Sequence, residues 1–266
     1  MNKLITQAHS DERAFFNAPN GYCVANLSGG KDSTAMLLLL LERGYPLDAV
    51  MFADTGMEFP EMYDHIQRVD EHLYRERGFH ITMLCSPHSF EYFMFDEPKQ
   101  RQSAIENRQR LGISLCGNGW PGINVRWCTG QLKTHLLRRE ANQLKQGRQA
   151  IHYIGIAADE AWRCKDGCYP LVEWGVTEAD ALQICYDRGF DFGGLYRIYH
   201  RASCWCCPFQ RIDQLRKLRI HHPELWKRLL SMDQRAREQF GDTPLGRFRK
   251  DWTVQALDER FAKEAA

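Results

Sequence analysis

The sequence lacks any long hydrophobic run. Its longest purely apolar stretch, residues 35–41, is far shorter than the roughly 20 residues that a membrane-spanning helix needs. The first residues, MNKLITQAHSDERAFF, contain no apolar segment typical of an export signal. We therefore predict a cytoplasmic protein with no membrane partner. Thiols stay reduced in that compartment, so the 10 cysteines indicate metal ligation or thiol chemistry rather than disulfides.

The chain also has little net charge, no internal repeat and no low-complexity segment. A net charge of +1 excludes a whole-molecule attraction for nucleic acid, although basic groups can still be concentrated locally. With 266 residues and 44% apolar composition the chain can bury a substantial core. We expect one large α/β domain, or a core with a small accessory lobe.

Apolar residues predict strands that alternate with helices in the first part of the chain. Strands are predicted at 22–27, 49–53, 79–84 and 152–156, and helices at 33–43, 60–77 and 129–145. This alternation indicates an α/β fold with a doubly wound parallel sheet. Residues 86–122 are predicted to form an irregular insertion near the site.

The last part of the chain is predicted to be helical, with helices at 177–187, 210–219, 223–240 and 254–263. The predicted domains are therefore residues 1–171, which bind the nucleotide, and residues 172–266, a helical lobe that contains cysteines.

A glycine loop lies between the first predicted strand and its helix. Its residues are Ser28, Gly29, Gly30, Lys31, Asp32, Ser33 and Thr34. Glycines let the backbone approach a phosphate, amide groups at a helix start point at the anion, and Lys31 adds a cation. The spacing differs from GxxxxGK[ST], which disfavours a γ-phosphate kinase or GTPase. A plain glycine turn that caps the helix is the structural alternative.

The loop resembles the SGGxDS loop of the PP-loop superfamily. Members of that superfamily split ATP between its α- and β-phosphates, or bind a related adenylyl compound. The resemblance implies a Rossmann-like fold of the adenine nucleotide alpha hydrolase type, with pyrophosphate or its equivalent at the loop and Mg²⁺ as cofactor. It implies catalytic roles for Lys31, Asp32 and Asp54, the last of which would hold the metal or orient the nucleotide.

Three further motifs are similar to segments of phosphoadenosine phosphosulfate (PAPS) reductase-like proteins. The run Asp54, Thr55, Gly56 resembles DTG-x-x-FPE, and Arg126-Trp-Cys-Thr with Lys133 resembles RWCT-x-x-LK. The turn with Gly155 and Arg163 resembles G-I-R-x-D-E-x-x-R, with Ala157 at the first arginine position. By resemblance, these residues contact the adenylyl nucleotide. A strand-to-helix turn and a solvated basic helix face are the structural alternatives.

Cys204 and Cys207 have the two-residue spacing that thiolate ligands use for zinc and iron–sulfur centres. Cys185 and Cys128 complete the predicted ligand set. Spacing leaves Cys206, Cys116, Cys164 and Cys168 open as alternatives, and leaves open that the thiols are small buried hydrophobes. The CW-x-CP pattern resembles that of phage and prophage PAPS reductase-like proteins, and more distantly DNA phosphorothioation sulfurtransferases. That resemblance implies a [4Fe-4S] cluster, with zinc as the alternative.

Basic residues are concentrated between residues 197 and 228, where eight Lys and Arg stand against two Asp and Glu, interleaved with aromatic residues. Such a stretch fits a nucleic-acid acceptor, and it fits equally the solvated side of packed helices.

We predict an enzyme that activates an acceptor by adenylylation with ATP, for sulfur transfer from a donor protein. The alternative enzyme is a PAPS or adenylyl-sulfate reductase. It is the weaker prediction, because reductases of that family carry their nucleophile in an ECGLH-type tail and this sequence has no cysteine after Cys207. A nucleotide-sensing regulatory or DNA-binding protein without turnover is the alternative from another class.

Overall fold

A computed structural model of the chain describes residues 21–123, 125–165 and 167–265. The prediction about an export signal in the first residues lies outside this described part. Within it, no helix combines the length and the apolar composition needed to cross a membrane.

The centre of the fold is a four-stranded sheet. Its strands are β1 (Gly21–Leu27), β2 (Ala49–Asp54), β3 (Thr82–Cys85) and β4 (Gln149–Ile154), in the order β3-β2-β1-β4. Strand β1 pairs in parallel with both β2 and β4, with Val24 opposite Ala49 and Gly21 opposite Gln149. Strands β2 and β3 therefore lie on one side of β1, and β4 lies on the other side. This reversal of strand order is the topological switch point of a doubly wound sheet.

Eight helices of ten or more residues occur in the described part of the chain. They are α1 (Lys31–Glu42), α2 (Pro60–Arg77), α3 (Gln102–Leu111), α4 (His135–Leu144), α5 (Glu178–Asp187), α6 (Ile212–His221), α7 (Pro223–Phe240) and α8 (Val254–Ala265). Shorter helical turns occupy Tyr92–Asp96, Trp127–Thr129, Gly130–Thr134, Ala158–Arg163, Pro170–Glu173, Phe192–Gly194 and Leu195–Ile198.

Helices cover both faces of the sheet. Helix α4 packs through Ala141 onto Tyr22 and Val24 of β1 and onto Met51 of β2. Successive side chains of a strand point to opposite faces, so Ala25 points away from α4, and helix α1 also contacts β1. Helix α1 is buried along almost its whole length, because its apolar run leaves no polar stripe for solvent. The predicted doubly wound α/β fold is confirmed.

The described residues form two compact units that are discontinuous in sequence. Unit 1 contains residues 21–53, 60–84 and 135–195, and so holds most of the sheet with α1, α2, α4 and α5. Unit 2 contains residues 54–59, 85–134 and 196–265, and so holds α3 and α6 to α8. The division into domains at residue 171 stays a prediction.

Three predicted elements differ from the structure. Strand β3 begins at Thr82 rather than at residue 79, because the amide of Ile81 donates to the Asp70 carboxylate at 2.6 Å instead of joining the sheet. The insertion predicted to be irregular contains α3, which ends at Gly112 in the left-handed conformation. The predicted helix 129–145 starts at Trp127 and includes a π-helical turn, Gly130–Thr134, which shifts the face that its side chains occupy.

Candidate functional site

In unit 1 the glycine loop leads from β1 directly into α1. Gly29 has a φ of +81°, and a Cβ there would lie 2.5 Å from the sulfur of Met62, so the loop needs glycine at this position. The amide of Ser28 donates to the Ser33 hydroxyl at 3.0 Å, and that hydroxyl donates to the carbonyl of Gly30 at 3.0 Å. No side chain caps α1 at Gly30. The first-turn amides of α1 therefore keep the orientation that suits an anion.

The ammonium group of Lys31 lies between two carboxylates of unit 1. It donates to Asp32 Oδ1 and to Glu178 Oε1, both at 2.9 Å. Burial raises the pKa of Asp32, and the charge of Lys31 opposes that effect. With both carboxylates ionised the three side chains sum to a negative charge. A polyphosphate that binds here therefore needs an accompanying cation.

The carboxyl end of β4 meets the same loop. A Cβ on Gly155 would lie 2.6 Å from the Cα and 2.7 Å from the amide nitrogen of Ser33. Only glycine allows this approach of the backbone. The loop after β1 and the turn after β4 thus meet at the switch point of the sheet, where open α/β folds bind their ligands.

The other predicted site residues of unit 1 have protein partners. Thr34 is fully buried, and its hydroxyl lies 3.1 Å from Nε2 of His65. Burial lowers the pKa of His65 to about 3, so this imidazole is neutral at physiological pH. Arg163 forms an ion pair with Glu160. The thiol of Cys185 donates to the carbonyl of Lys31 at 3.4 Å, and burial raises its pKa to about 12.

In unit 2 the segment after β2 forms a closed turn. Asp54 Oδ1 accepts a hydrogen bond from the amide of Gly56 at 2.8 Å, and Gly56 has a φ of +71°. The hydroxyl of Thr55 accepts from the amide of Met57 at 3.2 Å. This turn lines a pocket together with Cys85, the last residue of β3, and with Ser86, His88 and Ser89, which follow that strand.

A buried polar cluster lies beside this turn in unit 2. A single oxygen of Glu58, whose side chain is only 3% exposed, accepts from Thr55 at 3.2 Å, from Lys133 at 3.3 Å and from the Cys204 thiol at 3.5 Å. Burial would lower the pKa of Lys133, but the charge of Glu58 and its hydrogen bond to the ammonium group raise it. Burial raises the pKa of Cys204 to about 12. The Cys204 thiol is therefore protonated at neutral pH, beside the contact between Lys133 and Glu58.

The predicted metal ligands do not form a ready-made site. Cys128, Cys204 and Cys207 belong to unit 2, whereas Cys185 belongs to unit 1 and donates to a backbone carbonyl there. Across residues 21–123, 125–165 and 167–265, no three or more His, Cys, Asp or Glu side chains are grouped so that they could hold a metal ion. The geometry as described does not fit a preformed iron–sulfur or zinc centre, and both remain predictions.

Arg126, predicted to contact the nucleotide, is exposed on unit 2. Its guanidinium group lies 5.0 Å from the ring centroid of Phe209. The residue thus stacks on an aromatic ring of the basic stretch at residues 197–228.

Comparison with known proteins supports the family resemblance. Residues 22–104, which are 83 of the 266 in the chain, match the family model described as "Phosphoadenosine phosphosulfate reductase domain". The resemblance to that family is thereby supported. The matched segment includes the glycine loop, the Asp54 turn and strands β1 to β3.

Two individual proteins are similar to the chain. An uncharacterized protein of Methanocaldococcus jannaschii is 24% identical, over 76% of this chain and 39% of the relative. The chain thus spans about two fifths of the length of that curated relative. The crystal structure of a PAPS reductase from Candida auris, a phosphate complex, matches with a TM-score of 0.43 and 16% identity, over 71% of this chain and 83% of that one.

Sequence reasoning missed two carboxylates at these sites. Glu178 contacts Lys31 from the first position of α5, and Glu58 contacts Lys133, which lies 75 residues further along the chain. Glu58 lies inside the segment that resembles DTG-x-x-FPE, so this motif could have indicated that its carboxylate belongs to the site. Glu178 follows Thr177 of a capping box, which predicts a helix start but gives no partner for the carboxylate.

Proposed function

We propose that the chain binds an adenine nucleotide at the glycine loop and splits ATP between the α- and β-phosphates to adenylylate an acceptor. The meeting of the loop with Gly155 at the sheet's switch point is the observation that carries this proposal. The match of residues 22–104 to the PAPS reductase family model is its second support.

The chemistry of the loop suits pyrophosphate as the leaving group. In the proposed step an acceptor oxygen attacks the α-phosphorus, and the bond from that phosphorus to its bridging oxygen breaks. Pyrophosphate leaves with the bridging oxygen and the bonding electron pair. Lys31 and the first-turn amides of α1 would stabilise the charge that develops on it.

Mg²⁺ fits the charge of this loop. Asp32 and Glu178 supply carboxylate oxygens, which are the ligands that Mg²⁺ takes alongside substrate phosphates. Bound Mg²⁺ would neutralise the polyphosphate. In unit 2, Asp54 stays the predicted residue that holds the metal or orients the nucleotide. Ser28, Thr55, Gly56, Lys133 and Arg163 likewise stay predicted nucleotide contacts.

The proposed use of the activated acceptor is sulfur transfer, in which a sulfur nucleophile displaces AMP. The protein that supplies the sulfur and the cytoplasmic location are parts of the same proposal. None of the proposed chemical steps involves a metal cluster.

Reduction of PAPS or adenylyl sulfate is the second candidate, and the description of the matching family model favours it. Product analysis separates the two. Incubation with α-labelled ATP, Mg²⁺ and acceptor should release pyrophosphate and transfer the label to the acceptor, and a sulfur nucleophile should then release the label as AMP, whereas a reductase releases sulfite from the adenylyl sulfate and leaves ATP intact. ADP as the main product would contradict both candidates, and nucleotide binding without any turnover would favour a sensing role.

A further inference from the structure

An exposed stacking surface lies in unit 2, outside the nucleotide loop. Its centre is Phe209, whose side chain is 40% exposed, with the guanidinium of Arg126 stacked on its ring at 5.0 Å. Arg201 is also exposed. Arg201 lies eight residues before Phe209, in the same basic stretch of unit 2. We call Arg126, Arg201 and Phe209 the Phe209 platform.

The two arginines of the platform have no acidic partner in the part of the chain that the structure describes. Arg235 makes the contrast, because it stacks on Phe95 at 4.2 Å and also pairs with Asp96. An ion pair of this kind neutralises a surface arginine internally. The platform arginines instead leave their positive charge available to an external anion.

The turn that carries Phe209 is fixed by hydrogen bonds and by buried side chains. The side-chain amide of Gln210 donates to the carbonyls of Cys204 at 2.8 Å and Trp205 at 3.1 Å. Trp205 and Cys206 are each only 1% exposed and anchor the turn in the core of unit 2. The backbone that carries Phe209 is therefore attached to the core of unit 2, and ordering it on ligand binding should cost little entropy.

We propose that the Phe209 platform binds single-stranded nucleic acid. A base stacks on the ring of Phe209, and the phosphates of the strand contact Arg126 and Arg201. An aromatic face between unpaired cations is the combination that single-strand sites use, because each base has a face to stack and each nucleotide a phosphate to pair. Val125, which directly precedes Arg126 in the sequence, and Ile123 are also exposed apolar residues.

The proposal deepens the proposed function by naming a nucleic acid as the acceptor, and for that role it rests on the proposed function. Arg126 then contacts the acceptor strand, in addition to or instead of the nucleotide. A protein partner with an acidic surface could pair with the two arginines, but its carboxylates would not stack on the exposed ring of Phe209. The ring therefore favours a nucleic-acid strand, whose bases can stack on it.

The test measures binding of a fluorescein-labelled 15-nucleotide oligothymidylate to the whole chain by anisotropy, at several salt concentrations. Phe209→Ala should weaken binding about fivefold or more, and Phe209→Trp should retain it. Arg201→Ala should lower the slope of log affinity against log salt by about 0.7, the value for one lost single-strand phosphate contact. Arg235→Ala, the matched arginine outside the platform, should leave both affinity and slope unchanged.

Four results would overturn the platform. The first two are wild-type affinity in Phe209→Ala and equal losses of affinity in Arg201→Ala and Arg235→Ala. The other two are binding of a duplex that is as tight as that of the single strand and equally weakened by Phe209→Ala, and binding of an acidic peptide in place of the strand. Calorimetry with a non-hydrolysable ATP analogue distinguishes failure of the platform proposal from failure of the proposed nucleotide site. Absent oligonucleotide binding with intact analogue binding defeats only the platform. Absent analogue binding with intact oligonucleotide binding defeats only the nucleotide proposal.

Discussion

Replacing Lys31 by alanine removes the cation from a cluster that holds two carboxylates. Breaking a buried ion pair costs about 3 to 5 kcal/mol. The side chain of Lys31 is 10% exposed and that of Glu178 is 32% exposed, so solvent screens part of the loss. We expect the free energy of unfolding to fall by about 2 to 3 kcal/mol. Glu178→Gln added to Lys31→Ala should restore about 1 kcal/mol, because one of the two unpaired carboxylates is gone.

The destabilisation should also depend on pH. Burial raises the pKa of Asp32 in the folded protein, and removing Lys31 removes the charge that opposes this rise. A carboxyl group whose folded pKa is raised favours the fold most below its unfolded pKa, and this contribution is lost as pH rises through the folded pKa. Urea unfolding should therefore find a smaller difference between wild type and Lys31→Ala at about pH 4 than at about pH 8.

The same variants test the nucleotide site by calorimetry. Lys31→Ala should weaken binding of an ATP analogue about 10- to 100-fold, the loss of one hydrogen bond from a charged donor. Glu178→Gln should tighten binding of the Mg²⁺-free analogue by about fivefold, because it removes a negative charge beside the loop. Unchanged affinity in Lys31→Ala, or an equal loss in both variants, would refute the reasoning.

Three further outcomes are expected. Arg108 donates to three backbone carbonyls of unit 2 at 2.6 to 2.9 Å, so Arg108→Lys should lower the urea-derived stability by about 2 to 4 kcal/mol. Gly155→Ala should cost about 1 to 3 kcal/mol and weaken analogue binding, whereas Gly130→Ala, with no atom within 4 Å of the added Cβ, should do neither. The [4Fe-4S] prediction requires that anaerobically purified protein is brown and that Cys204→Ser or Cys207→Ser bleaches it. Colourless protein with one equivalent of zinc, or without metal, contradicts the iron–sulfur form.

The elements around the glycine loop could be predicted because their signals are local. An apolar strand, a glycine turn and an apolar helix follow each other between residues 21 and 42, and the structure has β1, the loop and α1 in that order. The π-helical turn before α4 could not be predicted, because its composition fits an ordinary helix. Helix α3 was missed because its polar sequence has only one residue, Arg108, that is fully buried.

Long-range polar contacts were the other feature that could not be predicted from the sequence. Lys31 looks like a loop residue in the sequence, but it is the first residue of α1 and only 8% exposed. Its partner Glu178 lies 147 residues further along the chain. No local pattern links two such residues, because their contact depends on how α5 packs in unit 1.

The burial of α1 determines how the glycine loop can behave. From Ser33 to Leu40 every side chain of this helix is buried, so its amides should be among the last in unit 1 to exchange hydrogen with solvent. We therefore expect the loop to be attached to a segment that opens only when unit 1 as a whole unfolds. A ligand that binds there meets a backbone already ordered during folding, and its affinity is reduced very little by lost chain entropy.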